Sequence, residues 1–130
     1  MNTKWLMTGS ALLMGVVGVA LTFAPQEVLT YLFKQPVTGS GVIILQILGA
    51  LYFAFAMVNW MAKANLIGGI YARPIAMGNM THFVVGAFAL LKGYSASSEQ
   101  VVLIAAIVYV VLGALFTKVL FTHPVKEKEN

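Results

Sequence analysis

The sequence predicts an all-α fold: an integral membrane, antiparallel four-helix bundle with a short interfacial helix between the first two spans. Three observations carry this. Hydrophobic residues make up 60% of the 130 positions and charged residues only 9%. A soluble domain needs roughly 25% charged residues to cover its surface in water. The apolar residues are also gathered into four stretches of about 20 residues, the length of a membrane helix. None of the four alternates polar and apolar residues with period two, which argues against a transmembrane β-barrel.

The first span covers about 5–24, WLMTGSALLMGVVGVALTFA. Lys4 before it resembles a signal-peptide n-region. Pro25 directly after Ala24 is a poor residue beyond a cleavage point, so a retained helix is expected. PQEVLTYLF follows. Pro25 suits the first position of a helix, Glu27 suits its positive end, and Val28, Leu29, Leu32 and Phe33 recur at helical spacing. This predicts a short helix over residues 25–34 lying in the membrane interface and ending before Pro36. Gly39, Ser40 and Gly41 read as a hinge.

The second span covers about 42–61 and the third about 74–91. Between them lies KANLIGGIYARP, with a turn at Gly68–Gly69 and an aromatic anchor at Tyr71. KGYSASSEQ reads as a polar turn before the fourth span, about 101–121. The whole chain is expected to form a single transmembrane domain, with residues 122–130 as a solvated cytoplasmic tail.

Lysine and arginine set the orientation. Lys4, Lys63, Arg73, Lys118, Lys126 and Lys128 fall on one side, Lys34 and Lys92 on the other. Six against two predicts both termini in the cytoplasm and a multi-pass protein of the bacterial inner membrane. The net charge of +4 therefore reflects orientation and contact with lipid headgroups. No basic face with aromatic interleaving suggests nucleic acid.

Helices in lipid associate by close packing, so small residues should mark their contact faces. Thr8, Ala11, Gly15, Gly18 and Thr22 form one such stripe. The second span offers Gly49 and Ala56, the third Gly78, His82, Gly86 and Ala89, and the fourth Ala106, Tyr109, Gly113 and Thr117.

Polar residues are sparse, and most fall toward the predicted cytoplasmic half. Asn59, Trp60 and Lys63 end the second span, Arg73 opens the third, and Asn79 and His82 follow. Tyr52 and Tyr109 lie deeper. These eight residues are the candidate ligand-binding set. They read as a polar pocket for a lipid headgroup, a quinone or a small solute, and cations at its mouth suit an anionic or carbonyl-bearing ligand. The competing reading is that Asn and His join helices by hydrogen bonds. Gln46 reads as a partner for Thr22 or the outer loop.

Several chemistries lack their residues. There is no cysteine, hence no disulfide, thiolate metal site or cysteine nucleophile. The four acids, Glu27, Glu99, Glu127 and Glu129, lie outside the spans, which argues against proton-coupled transport. Bis-histidine haem would need His82 and His123, which lie at different depths, and no metal site is expected. No complete catalytic set appears, so no residue is assigned a catalytic role.

LQILGALYFAFAMVNWMAK and ARPIAMGNMTHFVVGAFALL together resemble small, uncharacterised bacterial four-helix membrane proteins, similar in layout to DoxX-like proteins. The resemblance covers the second and third spans. It implies association with quinol-oxidase or redox complexes, and it points to Asn59, Trp60, Arg73, Gly78 and Asn79. The functional expectation is a non-enzymatic accessory or lipid-interacting subunit. Its partners would be membrane lipids and a larger membrane complex or a homo-oligomer. The alternatives are a quinone-binding, redox-associated protein and a small channel or transporter.

Overall fold

A computed structural model describes residues 2–34 and 39–124. The protein is all-α, with α1 at Thr3–Phe23, α2 at Pro25–Phe33, α3 at Ser40–Ala62, α4 at Arg73–Ser97 and α5 at Gln100–Phe121. Four of these helices are long and apolar enough to cross a membrane. The 21 residues of α1 rise about 31 Å, matching a hydrocarbon core of about 30 Å. Trp5 and Phe23, 73% and 82% exposed, sit near its two ends, where aromatic rings favour the membrane interface.

The chain divides into two compact units, Asn2–Ala64 and Asn65 onward. In the first, α1 pairs with α3. Contacts along α1 from Ser10 through Gly15 and Gly18 to Thr22 meet Asn59, Ala56, Phe53 and Gly49 in falling order, so the pair is antiparallel. Two glycines set the spacing. A Cβ on Gly18 would stand 2.7 Å from the Phe53 backbone nitrogen and 2.9 Å from the Gly49 carbonyl oxygen. A Cβ on Gly49 would meet the Thr22 nitrogen at 2.7 Å and the Gly18 oxygen at 2.8 Å. The expected small-residue stripe on α1 is thus a backbone-to-backbone contact.

The short helix between α1 and α3 begins at Pro25 with Glu27 in its first turn, as expected. It ends one residue earlier than the sequence predicts, at Phe33. Lys34 caps it in the left-handed conformation, φ 54°, donating its N–H to the Thr30 carbonyl. Pro36, the expected stop, lies outside the described residues. The hinge expected at 39–41 is narrower. Only Gly39 has a positive φ, 65°, while Ser40 and Gly41 already belong to α3.

In the second unit, α4 and α5 are also antiparallel, with Val84 facing Gly113 and Gly93 facing Val102. Two expectations change here. Residues 92–97, expected as a polar turn, continue α4. Backbone hydrogen bonding extends the helix past its apolar core. The Ser97 hydroxyl bonds the Gly93 carbonyl, and Ser98, φ 55°, stops the helix by donating its N–H to the Tyr94 carbonyl. The buried face of α4 is Ala76, Asn79, Phe83 and Ala87. The stripe of Gly78, His82, Gly86 and Ala89 flanks it about 100° around the helix, and Gly86 meets Tyr109 of α5, so the contact face is wider than the stripe. The fully buried Phe83 ring, stacked on Phe116 at 5.7 Å, sets that face.

The turn after α3 is held by paired bonds between Gly68 and Tyr71, 3.0 and 2.9 Å, an isolated β-bridge. Gly68, φ 134°, lies where any Cβ would strike the Thr122 carbonyl oxygen at 2.7 Å, so this turn sits against the end of α5. Residues 125–130 of the expected tail lie outside the described residues.

Gly18→Ala or Gly49→Ala should therefore force the helices apart and destabilise the protein by about 1–3 kcal/mol. Gly9→Ala, where nothing lies within 4 Å, should not be destabilising. Reversible unfolding in detergent distinguishes the two classes of glycine.

Candidate functional site

Each unit places four of the eight candidate residues. The first holds Tyr52, Asn59, Trp60 and Lys63, and the second Arg73, Asn79, His82 and Tyr109.

Asn59 is fully buried on α3. Its Nδ2 donates to the Ser10 Oγ of α1 at 3.1 Å, and Met14 Sδ lies 4.0 Å away. The Ser10 hydroxyl in turn donates to the Met7 carbonyl at 3.1 Å. The relay passes from an amide to a hydroxyl to the helix backbone, and it crosses from α3 to α1. In lipid no water can serve these groups, so each needs a protein partner. Sequence reasoning misses Ser10, which offers only a serine without a base in reach. The available signal is register. If Gly18 sits between Gly49 and Phe53 in an antiparallel pair, Ser10 falls opposite Asn59.

Trp60 and Lys63 form a different contact at the end of α3. Lys63 Nζ stands over the Trp60 ring, 2.9 Å from its centroid, a cation–π contact. Trp60 is exposed and Lys63 half-buried, an arrangement suited to an interface where a lysine reaches toward headgroups. Tyr52 is half-buried one helical turn from Ala56.

In the second unit Arg73 is exposed at the start of α4. Asn79 is fully buried, and its Nδ2 donates to the Ile75 carbonyl one turn back, at 3.0 Å. His82 and Tyr109 come together, with the tyrosine hydroxyl 3.3 Å from His82 Nε2 and the ring centroids 5.5 Å apart. Phe83 lies edge-on to both rings, at 4.9 and 5.2 Å. Gly86 makes this possible. A Cβ there would overlap the Tyr109 ring, meeting Cε1 at 2.5 Å and Cδ1 at 2.7 Å, so one edge of the tyrosine ring lies against bare helix backbone.

Three threonines in the spans share one pattern. Thr8, Thr22 and Thr117 each bond the carbonyl four residues back, at 2.7–2.8 Å. Gln46 Nε2 donates to the Thr22 carbonyl at 3.3 Å, the partner expected for it. Among the described residues no buried side-chain nitrogen or oxygen lacks a hydrogen-bond partner. No group of three potential metal-ligating side chains occurs among them either. Chemically, the buried amides and hydroxyls are engaged with helix groups. The His82–Tyr109 pair is half-buried.

The helices and their polar contacts define a multi-pass membrane protein. Comparison with protein-family models, curated proteins and solved structures finds no match to this chain.

Ser10→Ala and Asn59→Ala should each destabilise the protein by about 0.6 kcal/mol, the usual size of a hydrogen bond between membrane helices. A double-mutant cycle should show coupling of the same sign and similar size. Strict additivity would mean that the two residues do not act on one another.

Proposed function

We propose that this protein is a non-enzymatic accessory subunit of the bacterial inner membrane, acting on lipids and on a larger membrane assembly through its helix faces. One observation carries the reading: the buried polar side chains among the described residues are all hydrogen-bonded. A reaction site needs polar groups aimed at a substrate, whereas Ser10, Asn59 and Asn79 bond to neighbouring helix groups. The outward surface supports the same reading. Ile43, Ile44, Ile47, Leu51 and Met61 of α3 are exposed, leaving an apolar face for lipid or another helix. The six-to-two distribution of cations supports cytoplasmic termini.

Purification in a mild detergent followed by native mass spectrometry tests this reading. The expected result is a co-purifying membrane protein or retained lipid. A stable monomer free of both contradicts it.

A second reading is favoured by the His82–Tyr109 contact. A half-buried imidazole and phenol beside two stacked phenylalanines suit a quinone, whose carbonyl accepts hydrogen bonds and whose ring packs on aromatic edges. The resemblance to DoxX-like proteins supports a redox-associated assembly of this kind. Tyr109→Phe should then weaken binding of a short-chain ubiquinone about tenfold, in line with loss of one buried hydrogen bond. Unchanged affinity rejects this reading.

A further inference from the structure

We propose that the outer face of α2 is a binding site for a phospholipid headgroup that carries both a phosphate and a primary ammonium. The proposal rests on the reading of the chain as membrane-embedded. It concerns residues outside the candidate set of eight.

Three observations meet on this helix. The first is its two-faced pattern. Pro25 is buried, and Val28, Leu29 and Leu32 are half-buried, while Gln26, Glu27, Thr30, Tyr31 and Lys34 are exposed. The exposed five recur at helical spacing and line one shallow, open groove on the surface. The helix joins the end of one span to the start of the next, so its exposed face belongs at headgroup level.

The second observation is charge order. Glu27 and Lys34 are seven residues apart, about 10.5 Å along the axis, and both line the same groove. The groove therefore has an anionic end and a cationic end, with the hydroxyls of Thr30 and Tyr31 between them. Tyr31 is 86% exposed, a poor placement for a phenol in water and a good one beside lipid glycerol and phosphate. A phosphate suits Lys34, and the flexible lysine stem covers much of the axial distance. A primary ammonium suits Glu27, because it carries three N–H donors for a carboxylate.

The third observation is Lys34 itself. It is held in the left-handed conformation that normally selects glycine or asparagine at a helix end. The capping bond to Thr30 needs only a backbone N–H, which glycine also has. A lysine at this position brings a cation to the groove's far end at a conformational cost.

This chemistry separates three common headgroups. Phosphatidylethanolamine matches both ends. Phosphatidylcholine keeps the phosphate but has no N–H to donate to Glu27. Phosphatidylglycerol has no cation and presents an anion to Glu27.

The test is native mass spectrometry of the full-length protein released from nanodiscs made of equal parts of the three lipids. The wild type should retain phosphatidylethanolamine roughly three- to fivefold over each of the others, the effect of about one interfacial charge contact. Glu27→Gln should abolish the preference over phosphatidylglycerol. Lys34→Gln should lower retention of all three. Both residues are exposed, and an unchanged melting temperature shows that the variants remain folded. Equal retention of the three lipids by the wild type overturns the proposal, as does selectivity that survives Glu27→Gln. A protein partner found in the mild-detergent purification bears on the accessory reading alone, so the two can fail separately.

Discussion

The contact of bare backbone on bare backbone at Gly18 and Gly49 is the constraint from which the first helix pair follows. In lipid, apolar side chains gain nothing by leaving the solvent, because the solvent is equally apolar. What remains is dispersion, which falls steeply with distance, and hydrogen bonding, which needs tighter geometry still. Both depend on how closely two helices approach. The distances at Gly18 and Gly49 leave no room for even a methyl group. Close approach there brings Ser10 within 3.1 Å of Asn59 two turns away, and Gln46 within reach of the Thr22 carbonyl at the other end. The pair is thus pinned at three levels, by glycines in the middle and polar contacts toward each end.

The second pair uses the same physics with a different filler. Gly86 gives up its side chain to an aromatic ring, and Gly113 takes the Val84 side chain at 3.1 Å. The result is an aromatic cluster of His82, Phe83, Tyr109 and Phe116. Threonine joins glycine in both pairs. Thr22 and Thr117 bond the carbonyls of Gly18 and Gly113, the contact glycines themselves. The hydroxyl is satisfied within its own helix, so a polar residue can stand at the interface without needing water.

Much of this architecture is legible in the sequence. The four apolar runs report the long helices, and Pro25 with Glu27 reports α2, because these signals are local. The stripe on α1 is also readable, since spacing by three and four marks one helix face. The partner of each stripe is not, because pairing is a property of two distant segments. Ser10 escapes notice for that reason. The contact face of α4 extends beyond its small-residue stripe, because the buried Phe83 adds a row of contacts beside Gly86, which itself meets Tyr109. Helix α4 also runs past Leu91, since hydropathy measures what lipid accepts and not where backbone hydrogen bonds stop. Of the eight candidate residues, the two amides are buried and bonded to helix groups. The His82–Tyr109 contact joins two residues whose spacing along their spans suggests different depths.

The measurement closest to the central claim is disulfide trapping between α1 and α3. The chain has no cysteine of its own, so a Gly15→Cys, Ala56→Cys double variant carries a single possible intramolecular bridge. A Cβ at position 15 stands 3.6 Å from that of Ala56, within the range of about 3.5–4.5 Å that a disulfide spans. Rapid and nearly complete cross-linking within the monomer is expected under mild oxidation in detergent or membranes. Absence of the bridge, or cross-linking only between separate chains, would contradict this pairing of α1 and α3.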